Sequence, residues 1–254
     1  MKNIIQQLKN KPILSTPGFK YLDYWQNKAY YQENFINTLS IQENRSSNEK
    51  LLDVTSLGIK SENYYFKFKT KLESLDSNLN IENKIFLRSS VANSLAKIDQ
   101  VLSQFDLCLF LMSGYRSLRL QQTIMDFVSK KENGQDLQNM LASPNYHLPH
   151  ATGAAFDLEI IDLKTKKIIP TKTDLGYERY ILEKKKILTS AEKEVRDNRR
   201  LIHHLLTSDK ILDQAEVFIA HPFEYWHYSR FEKLAAFFSG QENYPIIYPH
   251  VKES

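Results

Sequence analysis

The chain has 254 residues, 42% of them hydrophobic and 25% charged, which is enough to bury a sizeable core and is ordinary for a globular protein. A net charge of +4 arises from 34 basic against 30 acidic residues scattered along the chain, so no nucleic-acid partner is expected. No apolar run reaches the length of a membrane span, so no membrane partner is expected either.

The first ten residues, MKNIIQQLKN, have neither an apolar h-region nor a small-residue cleavage site. This places the protein in the cytoplasm if Met1 is its native start, and in the periplasm if a leader has been removed. Residues 1–50 are rich in Asn, Gln, Lys and Tyr and are punctuated by Pro12 and Pro17-Gly18. With the aromatics Tyr24, Trp25, Tyr30, Tyr31 and Phe35 they read as an arm packed on a main domain. Residues 51–68 turn strand-like and end in an aromatic run, Tyr64, Tyr65, Phe66 and Phe68. The organisation expected is an arm over 1–80, a main domain over 81–240 and a tail over 241–254, all in one compact unit.

Val91, Leu95, Ile98, Leu102 and Phe105 recur at intervals of three and four, the mark of a helix with one buried face, and Ser89 and Ser90 are expected as its N-caps. Residues 107–112 follow as a short apolar strand, which makes Cys108, the single cysteine, a buried hydrophobe and excludes an intrachain disulfide. The strand runs out into Ser113-Gly114-Tyr115-Arg116, and a helix with Leu120, Ile124, Phe127 and Val128 inward is expected from 118 to about 130. Residues 131–141 are polar and read as a loop or a short helix. Pro144 and Pro149 then deliver the chain to His150.

Residues 154–161 alternate as a strand, with Phe156, Leu158 and Ile160 facing the core and Ala155, Asp157 and Glu159 the opposite side. A hairpin turn is expected over 162–167. A charged helix follows from about 190 to 206, where the adjacent His203 and His204 point in different directions and read as structural or surface residues. Residues 217–220 are strand-like, Glu224-Tyr225-Trp226-His227 comes next, and a short amphipathic helix over 231–238 precedes the tail. Only seven glycines occur in the chain, and two of them, Gly114 and Gly153, fall beside the candidate site residues.

His150, Asp157 and His227 make up a three-ligand set suited to a catalytic zinc, which keeps one position open. Glu224 is the candidate general base, and Arg116 the candidate partner for developing negative charge. Each residue also has a plain reading: His150 as a hydrogen-bonded surface histidine, Asp157 as a turn-facing charge, Glu224 and His227 as a solvated pair beside Trp226. Spacing adds a difficulty, because residues three apart on an extended strand point to opposite faces.

Taken together the motifs resemble the D-alanyl-D-alanine dipeptidases of the VanX type, in the zinc D,D-peptidase superfamily that also holds VanY-type carboxypeptidases. Gly114-Tyr115-Arg116 matches the family's arginine motif. His150, Gly153, Ala155 and Asp157 match its His-x-x-Gly-x-Ala-x-Asp motif. Glu224-Tyr225-Trp226-His227 matches Glu-Trp-Trp-His and is followed by Tyr228-Ser229 in the dipeptidase manner, while Asn198-Arg199-Arg200-Leu201 resembles the Asn-Arg segment of the preceding helix. The likeness runs from about Ile85 to Phe238.

This resemblance implies an α+β fold, with a central antiparallel sheet, flanking helices and a zinc cleft, as in D-Ala-D-Ala peptidases and hedgehog-like proteins. It implies one zinc ion per chain on His150, Asp157 and His227, with Glu224 as catalytic base and Arg116 at the transition state. Tyr115, Asp174 and His147 are candidate substrate contacts. The chain departs from the family where serines usually precede the first zinc histidine, because His147-Leu148-Pro149 stands there. Three functions follow as expectations: hydrolysis of D-Ala-D-Ala or a similar dipeptide, a carboxypeptidase or endopeptidase acting on peptidoglycan stem peptides, and a zinc-holding module without turnover.

Overall fold

Alternation along β5 (Ala155–Asp162) sorts the molecule into a core side and a cleft side. Phe156, Leu158 and Ile160 are fully buried in the main core, each contributing about 1.5–3 kcal/mol by leaving water. The computed structural model describes residues 2–13, 49–130, 149–208, 211–212, 217–221 and 224–230. The aromatic stretch of the expected arm, residues 131–141, the helix expected over 231–238 and the expected tail lie outside the described residues.

The central sheet runs in the order β2 (Lys60–Ser61), β4 (Leu107–Ser113), β5, β8 (His227–Ser229), β7 (Ile219–Ala220), with β6 (Lys167–Ile168) also on β5. β4 and β5 pair antiparallel, with Leu109 opposite Ile160 and Leu111 opposite Leu158. β2 joins β4 in parallel, so the antiparallel sheet carries one parallel edge pair among the described strands. The hairpin from β5 to β6 forms because the Asp162 carboxylate accepts from the N–H groups of Lys164 and Thr165, and Lys166 takes a positive φ of 58°. β1 (Leu51–Asp53) and β3 (Phe86–Arg88) form a separate antiparallel pair. Residues expected in the arm thus supply strands, β2 to the central sheet and β1 beside it.

The aromatic run at 64–68 is a 3-10 turn rather than a strand, because the Asn63 side chain accepts from the N–H of Tyr65 and starts a helical turn. It leads into α2 (Lys69–Leu75), which with α4 (Leu118–Ser129) makes a small cluster of Leu72, Ile81 and Ile124. Ser117 caps α4 by accepting from Leu120 N–H at 3.2 Å.

α3 (Ser89–Ser103) buries Val91, Leu95, Ile98 and Leu102 as its spacing predicts. Its expected serine caps lie inside the helix instead. The Glu49 carboxylate accepts from Ser90 N–H at 2.5 Å and takes the capping role, a negative charge at the positive end of the helix dipole. After the short α5 (Ile181–Lys184), α6 (Ser190–Thr207) begins with a capping box of Thr189 and Glu192 and packs Leu201, Ile202, Leu205 and Leu206 into the same core as α3. α1 (Lys2–Asn10) lies against α6, where His204 Nε2 meets the Lys11 carbonyl at 2.9 Å. His203 and His204 are both buried, so the structural reading of them holds and the surface reading does not. Cys108 is a buried free thiol. No helix among the described residues is long and apolar enough to cross a membrane.

Candidate active site

His150 reaches the end of β4 because two loops fit closely there. At Gly114 a Cβ would stand 2.6 Å from Ile85 Cγ2 and 2.7 Å from the Phe86 carbonyl, so only glycine lets the chain leave β4 against β3. Tyr115 N–H then bonds to Phe86 O at 2.8 Å, and Arg116 N–H to His150 O at 3.2 Å. On the other side His150 rides a 3-10 turn, Pro149–Thr152, ended by Gly153 at φ 69°. Arg88, fully buried, holds that turn by donating Nε to Thr152 O at 2.5 Å and its backbone N–H to Gly153 O at 2.9 Å.

Asp157 and His227 are brought together by strand register, since they lie directly opposite each other on β5 and β8. Leu158 N–H bonds to Trp226 O and Arg230 N–H to Ala154 O, so Asp157 and His227 form the non-hydrogen-bonded kind of pair, in which facing side chains are closest. The result is an Oδ1 to Nδ1 distance of 3.0 Å. Glu224 joins them through a turn: His227 N–H bonds back to Glu224 O at 3.1 Å, and Glu224 Oε2 comes to 3.8 Å from His227 Nδ1. That turn removes the difficulty of a three-residue spacing.

The donor set fits zinc. His150 Nε2 and His227 Nδ1 are 3.2 Å apart, Asp157 Oδ2 is 3.6 Å from His150 Nε2, and all three ligand atoms lie within 4.8 Å of one another. Tetrahedral ligands at zinc–ligand distances of about 2.0–2.2 Å stand about 3.3–3.6 Å apart. The protonation states suit it as well. His150 Nδ1 faces the Gly114 carbonyl at 2.7 Å, so that nitrogen carries the proton and Nε2 offers a lone pair inward. Burial, aided by the Arg116 guanidinium, lowers the His150 pKa to about 4 and keeps the ring neutral. Burial opposes the Asp157 charge, but the two imidazoles beside it, those of His150 and His227, hold the carboxyl well below its usual range.

Arg116 borders the triad. Its Nη2 lies 3.5 Å from Asp157 Oδ2, and its Nη1 donates to the buried Gln121 Oε1 at 3.0 Å. The Tyr65 ring sits 5.1 Å from the guanidinium carbon, and burial raises the pKa of its phenol. Five expected residues therefore converge: His150, Asp157, His227, Glu224 and Arg116. Among the candidate substrate contacts, Tyr115 is half-buried and bonded through its backbone to Phe86. Asp174 is exposed on a turn and makes no hydrogen bond or ion pair with the triad among the described residues, and His147 lies outside them.

Two residues at the site carry no signal in the sequence. Tyr65 lay in an apparent strand, with nothing to tie it to Arg116. Arg179 sits in a lysine-rich stretch, yet it is fully buried, and its guanidinium donates to the carbonyls of His221, Glu224 and His227. The Asn198-Arg199 pair of α6 supports this stretch from behind. Asn198 donates to Pro170 O, and Arg199 donates to the carbonyls of Thr171, Gly176 and Glu178 while lying over the Tyr225 ring.

Residues 84–230, more than half of the chain, match the family model described as VanY, D-alanyl-D-alanine carboxypeptidase. No curated protein matches. Among solved structures the chain is similar to the LdcB LD-carboxypeptidase, at 18% identity and a TM-score of 0.34 over 66% of this chain and 70% of that one.

Proposed function

Since the chain belongs to the VanY family of D-alanyl-D-alanine carboxypeptidases, we propose that it is a zinc-dependent peptidase that removes the terminal D-alanine from peptides ending in D-Ala-D-Ala. The observation that carries this reading is the convergence of two histidine nitrogens and a carboxylate within 4.8 Å, with a second carboxylate and a guanidinium at the rim.

His150 Nε2, Asp157 and His227 Nδ1 would hold the zinc ion. When bound, zinc supplies Lewis-acid polarisation of a substrate carbonyl and makes a water acidic near neutral pH. Glu224, which is not one of the three ligands, takes the proton of the attacking water and returns it to the departing amine. Arg116, fixed by Gln121 and Asp157, presents a guanidinium to the oxygen on which negative charge develops. The Gly114 carbonyl keeps His150 in the tautomer that leaves Nε2 free to ligate.

Hydrolysis of the free dipeptide is the second reading, favoured by the Tyr228-Ser229 pair after the last motif. In the fold Tyr228 is fully buried against Phe156 on the core side of the sheet, whereas Ser229, two residues after His227 on the same strand, lies on the face of the candidate ligands.

Metal analysis together with hydrolysis of D-Ala-D-Ala and of an N-acylated tripeptide ending in D-Ala-D-Ala tests the proposal. The expected result is one zinc per chain and preference for the acylated tripeptide. Preference for the free dipeptide supports the second reading. Zinc without turnover of either leaves a binding module, and a protein that cannot be loaded with zinc overturns the metal site itself.

A further inference from the structure

The motif that supplies both Glu224 and His227 needs something outside itself to hold its shape. The turn between them is closed by a backbone bond from His227 N–H to Glu224 O at 3.1 Å. Arg179 spans both ends of that turn. One nitrogen, Nη2, donates to Glu224 O at 2.9 Å and to His227 O at 3.0 Å. Nε donates to His221 O at 2.8 Å, Nη1 donates to the Tyr228 hydroxyl, and the guanidinium lies 4.2 Å from the centre of the Tyr228 ring.

Arg179 is 1% exposed, and among the described residues its hydrogen-bond partners are three carbonyls and a phenol, none of them a carboxylate. Burying a cation without a counter-ion is unfavourable, and an apolar side chain would fill the space more cheaply. What a guanidinium adds is a rigid planar fork, whose donors fit only one arrangement of acceptors. Here that arrangement is the one that turns Glu224 and His227 to the same side of the sheet.

We propose that Arg179 is a positioning residue of the active site, which aims the general base and the last metal ligand by holding the carbonyls of Glu224 and His227. The inference rests on the reading of His150, Asp157 and His227 as a zinc site. The support continues outward, since Arg199 on α6 fixes the carbonyls of Thr171, Gly176 and Glu178 in the segment that carries Arg179. The helix is thereby linked to the catalytic turn through two buried arginines.

Arg179→Lys keeps the charge and loses the fork. Metal-free wild type and variant are titrated with Zn²⁺ against a chromogenic chelator, and kcat and KM are measured on the acylated tripeptide at saturating zinc. Zinc affinity is expected to fall about 10–100-fold and kcat about 10-fold or more, with KM within about threefold of wild type. Arg200→Lys is the control: Arg200 is also buried on α6, but it pairs with Glu183, and its variant should lose thermal stability while keeping wild-type zinc affinity. A folded Arg179→Lys with wild-type zinc affinity and kcat overturns the proposal.

If that variant does not fold, Tyr228→Phe decides, because it removes only the hydroxyl that receives Nη1. A loss of zinc affinity of about threefold or more supports the role, and wild-type affinity overturns it. Wild type that binds no zinc defeats the metal reading and this proposal with it. Wild type that binds zinc beside an unaffected Arg179→Lys defeats this proposal alone.

Discussion

His150 Nδ1 donates to the carbonyl oxygen of Gly114 across 2.7 Å, joining the first candidate metal ligand to the glycine on which β4 ends. The same glycine has no room for a side chain, since Ile85 and Phe86 occupy the place of its Cβ. One residue therefore sets both a backbone crossing and the orientation of an imidazole.

Gly114→Ala is expected to destabilise the fold by about 1–3 kcal/mol through overpacking. Because the displaced carbonyl is the one that orients His150, zinc affinity should fall as well. Denaturant unfolding and a zinc titration on the same sample check the two effects. Loss of stability with unchanged zinc binding would separate them and refute the link.

Glu224→Gln keeps the size and polarity of the side chain and removes the base. Turnover is expected to fall about 10²–10⁴-fold, with one zinc retained per chain. Single-turnover kinetics and metal analysis check this. Retained turnover would exclude Glu224 from proton transfer.

Arg116→Lys preserves a positive charge but gives up the paired donors now held between Gln121 and Asp157. A decrease in kcat of about 10²–10³-fold is expected, as for removal of an oxyanion donor. Zinc binding should change little, since Arg116 is not a ligand. If KM alone rises, Arg116 meets the substrate carboxylate instead of the transition state.

Acid should weaken the fold through the α6 histidines. Burial, aided by the charges of Arg179 and His204, lowers the pKa of His203 well below 6.5, and burial lowers that of His204 as well. A histidine with a lowered folded pKa contributes stability that is complete above pH 6.5 and is lost as the pH falls toward the folded value. His203, held well below 6.5, adds a slope that approaches about 1.4 kcal/mol per pH unit as the pH falls below 6.5 toward its folded value. Guanidinium unfolding at pH 7.5, 6.5 and 5.5 should show this slope, and His203→Gln should reduce it by about one proton. The slope is the readout, because the substitution also changes packing. A variant with the wild-type slope would refute the assignment.

The strand and helix pattern was readable where burial is periodic. The faces of α3 and β5 followed directly from Val91, Leu95, Ile98 and Leu102, and from Phe156, Leu158 and Ile160. Local capping misled at the start of α3, because its cap comes from Glu49, forty residues away in the chain, and no local pattern announces that. Tyr64–Phe68 read as a strand by composition, whereas the Asn63 side chain wound it into a turn. At the site the candidate ligands are readable as residue types in order, but their convergence is not. It depends on the register of β5 against β8 and on the turn at Glu224–His227, both of which are tertiary. Arg179 was hidden for the same reason: an arginine among lysines looks solvated until the carbonyls that surround it are known.

The pairing of Asp157 with His227 has a kinetic consequence. The two residues are 70 positions apart, so β5 and β8 can meet only after a long loop has closed, which is a slow step in folding. A slip of one residue would turn His227 to the core side and leave Asp157 opposite an aromatic residue. On the proposed zinc site, metal capture would then be possible only in chains that have finished folding in the correct register. Time-resolved zinc uptake during refolding would therefore report the closing of this last strand pair, and misregistered chains would stay metal-free and open to proteolysis.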